Sequence, residues 1–340
     1  MRSIKVAVDL TDELHSMCEP PGRSRDSLTR TPPDGLRHYN HLAPVGDRGL
    51  VRELELVRMR TWTIPLTVQL EFTPSRDLDL QGVQLVVVTY IFSNDLSKRE
   101  AIIDTGDTTV NRKSLFLLVP KAEVEDDVLN AVVTMLSNES PSYNWFIPTI
   151  IMQAVIEGRQ LSGGALARIA EVHMRCPVDQ VFRVFVPMWC PGHWYLMILD
   201  IHKTRLIYCD SNIIDSEVVE RRVSMERVAL FLESMTLGQT WLSSMNAKRP
   251  AFSTFKFHVE QVPQQKRGSI DCGIWVAEWM IREKMWADHR VEGVGEDNRM
   301  KLAIDLVLRS HNKLAREVVL RAFSHWKAKA SASFPTRRAL

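Results

Sequence analysis

The chain has 340 residues, of which 45% are hydrophobic and 25% are charged, an ordinary composition for a globular protein of about two domains. The 43 Lys and Arg residues nearly balance the 41 Asp and Glu residues, so the formal net charge is only +2. These values exclude a chain that is disordered throughout, and no field of a single sign marks the whole chain as a nucleic-acid or membrane-surface binder.

The sequence predicts neither a membrane span nor secretion. A spanning helix needs about 20 predominantly apolar residues, whereas the most apolar stretch, residues 83–92, is short. No apolar core of signal-peptide length precedes Asp9. The five cysteines are odd in number and scattered, which favours reduced thiols in an intracellular protein.

The first 110 residues divide into a leader and a small region of unassigned role. Prolines and glycines form turn-like groups in residues 1–48, which predicts turns or a flexible leader. Apolar residues alternate over 66–72, the period of a half-buried strand, and 83–92 is a nearly continuous β-branched run typical of a covered strand. We therefore expect a small β-rich region over residues 49–110.

The remaining sequence predicts one domain over residues 111–326 and a basic tail over 327–340. Residues 126–136 place their apolar side chains on one stripe behind acidic residues, which indicates an amphipathic helix. Further strands are expected at 181–188, 194–201 and 205–209, and further helices at 216–235, 272–286 and 299–326.

Cys272 is the candidate nucleophile. Asp271-Cys272-Gly273 opens an apolar helical pattern, and a thiol at a helix amino terminus lies at the positive end of the helix dipole, which favours the thiolate. Gly273 has no side chain, so a scissile carbonyl could approach the backbone N–H groups of that first turn. The alternative interpretation is a buried structural cysteine.

His193 and Asp210 are the candidate base and its orienting group. His193 precedes the strand at 194–201, and Asp210 follows the strand at 205–209. A turn centred near residue 203 would pair these strands and place Asp210 opposite Tyr195, so that its carboxylate reaches the side chain of His193. The alternative is a hydrogen-bonded surface histidine.

Gln264 and Gln265 lie in a turn-like stretch just upstream of Cys272. A side-chain amide there could donate to an oxyanion together with the backbone of Cys272. A pair of solvated loop glutamines is the competing interpretation.

In this order, the motifs resemble the Ulp1-type family of ubiquitin-like-protein proteases, the deSUMOylating cysteine peptidases. The resemblance covers about residues 112–315 and extends to the plant, transposon-associated branch of the family. It is carried by Gly192-His193-Trp194-Tyr195-Leu196, Tyr208-Cys209-Asp210-Ser211, Gln264-Gln265, Asp271-Cys272-Gly273-Ile274-Trp275-Val276, Trp145-Phe146-Ile147-Pro148-Thr149 and Val184-Phe185-Val186-Pro187-Met188.

The resemblance implies an α+β fold of the papain-like or adenain-like kind, with a central mixed sheet flanked by helices and the active site between the Cys272 helix and the strands of 181–210. It implies that Cys272 is the nucleophile, His193 the general base and later acid, and Asp210 the orienter of the imidazole. Gln265 would be the oxyanion donor, with Gln264 left as an alternative.

The resemblance also implies a substrate and a set of partners. Trp194 would narrow a channel for a Gly-Gly tail, and Asp126 would meet the tail of a ubiquitin-like modifier. The expected partners are a SUMO-type modifier and its conjugates, with no metal, organic cofactor, nucleic acid or membrane, in the nucleus or cytoplasm. One departure is that Glu123-Val124-Glu125-Asp126 lacks the tryptophan with which the family often begins this motif.

Three other interpretations compete. Ile102-Ile103-Asp104-Thr105-Gly106 matches the pattern of aspartic proteases, but only one copy exists and the same residues are good turn formers. Cys190 and His193 suggest zinc, but a second close pair of ligands is missing. A decayed, transposon-derived copy could also bind a ubiquitin-like modifier without cleaving it.

Overall fold

The computed structural model describes residues 64–75, 78–80, 82–282 and 293–332. The predicted leader at 1–48, residues 283–286 of a predicted helix and residues 333–340 of the basic tail lie outside the described residues. Two compact units are present. The sheet unit is Leu136–Gln264, and the helical unit consists of the described residues before Leu136 together with those after Gln264.

Helices and strands alternate irregularly along the described residues. In chain order they are α1 (Gly82–Ile91), β1 (Ala101–Asp104), β2 (Thr109–Asn111), α2 (Arg112–Leu115), α3 (Asp126–Glu139), β3 (Asn144–Phe146), α4 (Thr149–Glu157), α5 (Gly163–His173), β4 (Arg183–Cys190), β5 (His193–Asp200), β6 (Arg205–Cys209), α6 (Val218–Met235), β7 (Lys256–Val259), α7 (Cys272–Ile281), α8 (Glu296–Leu308) and α9 (Ala315–Ala332).

The sheet unit is built on a five-stranded mixed sheet in the order β3-β4-β5-β6-β7. The outer pairs β3–β4 and β6–β7 are parallel, and the central pairs β4–β5 and β5–β6 are antiparallel. All eight residues of β5 are buried, and α4 and α6 pack against β4 and β6. The predicted α+β class with a central mixed sheet flanked by helices is therefore confirmed, as are the three predicted strands, with small shifts of their ends.

The helical unit corrects the prediction of a covered strand over residues 83–92: all but the last of these residues lie in helix α1, which ends at Ile91. A short apolar run has the same pattern in a buried strand and in a buried helix, so periodicity cannot separate them. In the folded chain α1 packs against α8 and α9, its backbone hydrogen bonds close within the helix, and the Thr89 hydroxyl donates to the Leu85 carbonyl at 2.7 Å. The run is thus buried mainly by its packing against other helices.

Two further predictions in the helical unit are wrong. The alternating segment at 66–72 is not a strand: Leu66 is 95% exposed, and the ladder is reduced to a single bridge between Leu70 and Ser93. The predicted helix at 299–326 is two helices, α8 and α9. Between them, the Asn312 side chain binds the backbone of β1, accepting from Asp104 N–H and donating to the Ile102 carbonyl, each at 3.0 Å.

The other helix predictions hold within the described residues. Helix α3 continues the predicted segment to Glu139, α6 covers most of 216–235, and α7 begins at Cys272 as predicted and ends at Ile281. Among the helices of the described residues, none combines the length and the apolar character that a membrane span requires.

Candidate active site

The β4–β5–β6 hairpins bring His193 and Asp210 together within the sheet unit. A turn at Pro191-Gly192 starts β5 at His193, with Gly192 at a φ of 76° that suits glycine. The register pairs Leu196 with Cys209, which sets Asp210 level with Tyr195 as the hairpin prediction requires. The Nε2 atom of His193 lies 2.7 Å from Oδ1 of Asp210, and both side chains are buried.

The Asp210 carboxylate is held on both oxygens. Oδ1 also accepts from the backbone N–H of Asn212 at 2.7 Å, and Oδ2 accepts from the Tyr208 hydroxyl and from Nη1 of Arg221, a buried residue of α6. Burial acts to raise the pKa of Asp210, but His193, Tyr208 and the Asn212 N–H outweigh it and lower this pKa. Asp210 therefore stays ionised beside the imidazole.

Gln264 secures the chain around Asp210. Its Nε2 donates to the Asp210 carbonyl at 2.9 Å and to the Val262 carbonyl at 3.1 Å, while its Oε1 accepts from Ile213 N–H at 2.9 Å. Both amide hydrogens are thus directed at backbone carbonyls. Gln265 belongs to the helical unit, where its Nε2 donates to the Ser269 carbonyl at 3.0 Å.

Cys272 is the first residue of α7, in the helical unit, and is 6% exposed. Gly273 follows it in close contact with the segment before α3: a Cβ at this position would lie 2.6 Å from Cβ of Val124. Real Cβ atoms do not approach so closely, so this helix start can pack against Val124 only with glycine at 273. From the sequence, glycine at 273 is expected because it lets a scissile carbonyl approach the backbone. The structure adds a second reason for glycine, the close packing against Val124.

The remaining predicted site residues lie on separate elements. Trp194 follows His193 on β5, so its side chain is on the opposite face of the sheet, and it is buried. Asp126 is the first residue of α3, is partly exposed, and accepts from the backbone N–H of Asp127 at 3.0 Å. Their contacts with a substrate stay predictions.

Residues 175–281 match the model of the Ulp1 protease family, C-terminal catalytic domain. Over these residues the chain is similar to a cysteine protease domain of the Ulp1 type. His193, Asp210, Gln265 and Cys272 all lie inside the matched segment.

Solved Ulp1 structures share the fold of this chain. The C-terminal Ulp1 protease domain in complex with Smt3, the yeast ortholog of SUMO, is 15% identical over 70% of this chain and 100% of its own length, with a TM-score of 0.52. The SUMO protease Ulp1 with its catalytic cysteine oxidised to a sulfenic acid is 15% identical over 70% of this chain and 97% of its own length, with a TM-score of 0.50. None of the curated proteins compared with this chain matches its sequence.

The aspartic-protease interpretation is not needed to explain Asp104. This residue ends β1, and its Oδ1 accepts from Gly106 N–H at 2.7 Å, while Thr105 Oγ1 accepts from Thr108 N–H at 3.0 Å. These hydrogen bonds form the turn between β1 and β2, with Gly106 at a φ of 90°. The motif is the turn that its composition also predicts.

The cysteines of the described residues are free thiols: Cys176, Cys190, Cys209 and Cys272 form no disulfide. The Sγ atom of Cys190 donates to the His193 carbonyl at 3.6 Å, and Cys209 is fully buried, so burial raises its pKa well above the usual range. The described residues hold no group of three or more His, Cys, Asp or Glu side chains that could bind a metal ion.

Sequence reasoning missed Arg221, and it gave Tyr208 no role beyond its place in a motif. Tyr208 is two residues from Asp210, and this spacing could have indicated from the sequence that the two side chains lie close together. Arg221 is one of several arginines on α6, and nothing local marks it as the one that reaches Asp210. Its position on the helix, four residues after Glu217 with which it forms an ion pair, is typical of a surface arginine.

Proposed function

We propose that this chain is a SUMO-processing cysteine peptidase that cleaves the peptide or isopeptide bond after the C-terminal Gly-Gly of a ubiquitin-like modifier. The observation that carries the proposal is the buried His193–Asp210 pair in the segment that matches the Ulp1 catalytic domain, which also contains Cys272 at the start of α7. The partner class is taken from the Ulp1 domain that was solved with Smt3.

The proposed reaction begins with attack of the Cys272 thiolate on the scissile carbonyl carbon. The thiol proton passes to His193. Because Nε2 of this ring is hydrogen-bonded to Asp210, we assign Nδ1 as the atom that accepts the proton. The Cys272 backbone N–H and the Gln265 side-chain amide would stabilise the oxyanion. We prefer Gln265 to Gln264 because both amide hydrogens of Gln264 are directed at backbone carbonyls.

The tetrahedral intermediate collapses with cleavage of the C–N bond, and the leaving amine takes the proton from His193. The product is a thioester between Cys272 and the modifier tail. Water then attacks this thioester while His193 accepts a proton from it, and collapse releases the modifier carboxylate and returns the proton to the thiolate. We assign Trp194 to the wall of the tail channel and Asp126 to a contact with the tail.

The first test is Cys272→Ala and Cys272→Ser, measured as hydrolysis of modifier substrates with a fluorogenic group after Gly-Gly. We expect turnover to be abolished, because Sγ is the reacting atom, while the far-UV circular dichroism stays that of wild type. Cys190→Ser is the matched control, a partly exposed thiol that should leave turnover unchanged. Hydrolysis by either Cys272 variant would remove this residue from the role of nucleophile.

The second test identifies the modifier and separates the enzyme from a binding module. SUMO and ubiquitin, each carrying a carboxy-terminal electrophile, are mixed with wild type and with Cys272→Ala. Covalent capture of SUMO by wild type alone supports the proposal. Binding of a modifier without capture would favour the alternative, a transposon-derived protein that recognises a ubiquitin-like modifier and no longer cleaves it.

A further inference from the structure

We propose that Arg299 is a positioning residue for Cys272: it holds the carboxylate of Asp271 away from the start of α7 and keeps the first-turn N–H groups available to the reacting carbonyl. The inference rests on the proposed role of Cys272. It concerns contacts within the helical unit only.

Arg299 binds the residue that directly precedes the nucleophile. Its Nε and Nη2 atoms donate to Oδ1 of Asp271 at 2.9 and 2.7 Å, and Nη2 also lies 3.4 Å from the Ile270 carbonyl oxygen. The arginine lies on α8 and is 1% exposed. A buried guanidinium is costly without partners, so this cation and the Asp271 carboxylate fix one another in place.

The same guanidinium also fixes the chain that packs on the start of α7. Its Nη1 atom lies 3.3 Å from the Leu117 carbonyl oxygen, 3.2 Å from that of Val119 and 3.0 Å from that of Ala122. This chain leads into Val124, the residue whose contact requires glycine at 273. The planar fork of donors on arginine can reach a carboxylate and several carbonyls at once, which a lysine ammonium cannot.

The Asp271 side chain does not cap α7, although Asp271 stands at the N-cap position of this helix. Aspartate at an N-cap usually accepts a hydrogen bond from the backbone N–H two or three residues on, yet Asp271 makes no such bond. Instead Oδ1 is bound by Arg299, and Oδ2 accepts from the Ser269 hydroxyl at 2.5 Å. A carboxylate released to cap α7 would occupy its N–H groups and bring negative charge to the place where the oxyanion must form.

The test compares steady-state kinetics of Arg299→Met, Asp271→Ala and the double variant on the modifier substrate that wild type cleaves. For Arg299→Met we expect kcat to fall about 100-fold with little change in KM, because misplacement acts on the chemical step. The double variant should recover about tenfold of that loss, since the displaced carboxylate is gone. Recovery on removing a second side chain is not expected from a role in stability alone.

The matched control is Arg112→Met. Arg112 is also a fully buried arginine of the helical unit, paired with Glu100 and donating to the Ile91 and Ser97 carbonyls. Its hydrogen bonds and ion pair among the described residues involve neither Asp271 nor α7. It should lower the melting temperature while leaving kcat near wild type below that temperature. If Arg299→Met does not fold, Arg299→Lys is measured instead. This variant keeps the positive charge but lacks the planar set of N–H donors of the guanidinium, so it should lower kcat about tenfold.

Three results would overturn the inference: a kcat of Arg299→Met or Arg299→Lys equal to wild type, a loss no larger than that of Arg112→Met, or a double variant no more active than Arg299→Met. Each of these leaves the proposed function intact if Cys272→Ala is inactive. Turnover by Cys272→Ala would instead overturn the proposed function, whatever Arg299 does.

Discussion

At the scale of single residues, the geometry of the candidate site depends on the number of hydrogen bonds that the Asp210 carboxylate accepts. Asp210 accepts from His193, Tyr208, the Asn212 N–H and Arg221, so its orientation is fixed from four directions. A carboxylate held in this way can orient the imidazole and keep a proton on its Nε2. The geometry that the proposed reaction needs from this pair is therefore present without substrate.

We expect Asp210→Asn to lower kcat/KM by on the order of 1,000-fold or more, because the amide favours the wrong tautomer of His193 and meets the Arg221 cation without a charge. The measurement is the hydrolysis rate together with the melting temperature. Tyr208→Phe is the milder companion: it removes one donor to Oδ2 and leaves Arg221 in place, so the loss should be about tenfold or less. A fully active Asp210→Asn enzyme would contradict the orienting role.

At the scale of secondary-structure elements, helix α7 depends on close packing at its first turn. Its residues from Cys272 to Met280 are all buried, and its second residue is a glycine in contact with Val124. The helix start therefore cannot shift without moving the segment that leads into α3. The position of Cys272 is thus coupled to the packing of the helical unit.

We expect Gly273→Ala to lower both the melting temperature and kcat, by several degrees and about 100-fold, because the added Cβ pushes the start of α7 away from Val124. Gly163→Ala is the matched control at the first residue of α5, where an added Cβ meets no atom within 4 Å. This variant should keep both values or gain slightly in stability. Equal behaviour of the two alanine variants would contradict the packing role of Gly273.

At the scale of the whole molecule, ionisable groups whose pKa values shift on folding make stability depend on pH. Asp95, with its pKa lowered to about 2, Glu100 and Asp210 all have lowered pKa values because hydrogen bonds and nearby cations outweigh burial. His311 differs: it is buried, and neither ring nitrogen has a hydrogen-bond partner among the described residues. Burial, and to a lesser extent the charge of Arg309, lowers its pKa to about 4.

We expect the free energy of unfolding to fall as pH falls from about 6.5 to 4, since over this range the unfolded chain protonates His311 and the folded chain does not. The contribution is at most about 1.4 kcal/mol per pH unit. His311→Phe should flatten the curve in this range, as measured by urea unfolding at stepped pH. Below pH 4 both proteins should lose stability in parallel, because the carboxylates are the same; an unchanged slope above pH 4 would contradict the prediction.

The sequence by itself determined the features that depend on local periodicity and short connections. The antiparallel strands 194–201 and 205–209 are joined by a turn of a few residues, so their register, and with it the meeting of His193 and Asp210, can be counted along the chain. The helix that begins at Cys272 has an equally local signature. The central mixed sheet could be predicted from the expected strands together with the resemblance of the motifs to the Ulp1-type family.

Only the tertiary structure decided the features that depend on residues far apart in sequence. Whether 83–92 is a helix or a strand depends on α8 and α9, which cover it, because a short apolar run satisfies either period. The contacts of Arg221 with Asp210 and of Arg299 with Asp271 join separate elements, and a buried arginine has the same local pattern as a solvated one. The physical reason is that the burial of a charge is set by the partners it meets, and those partners are assembled only when the chain folds.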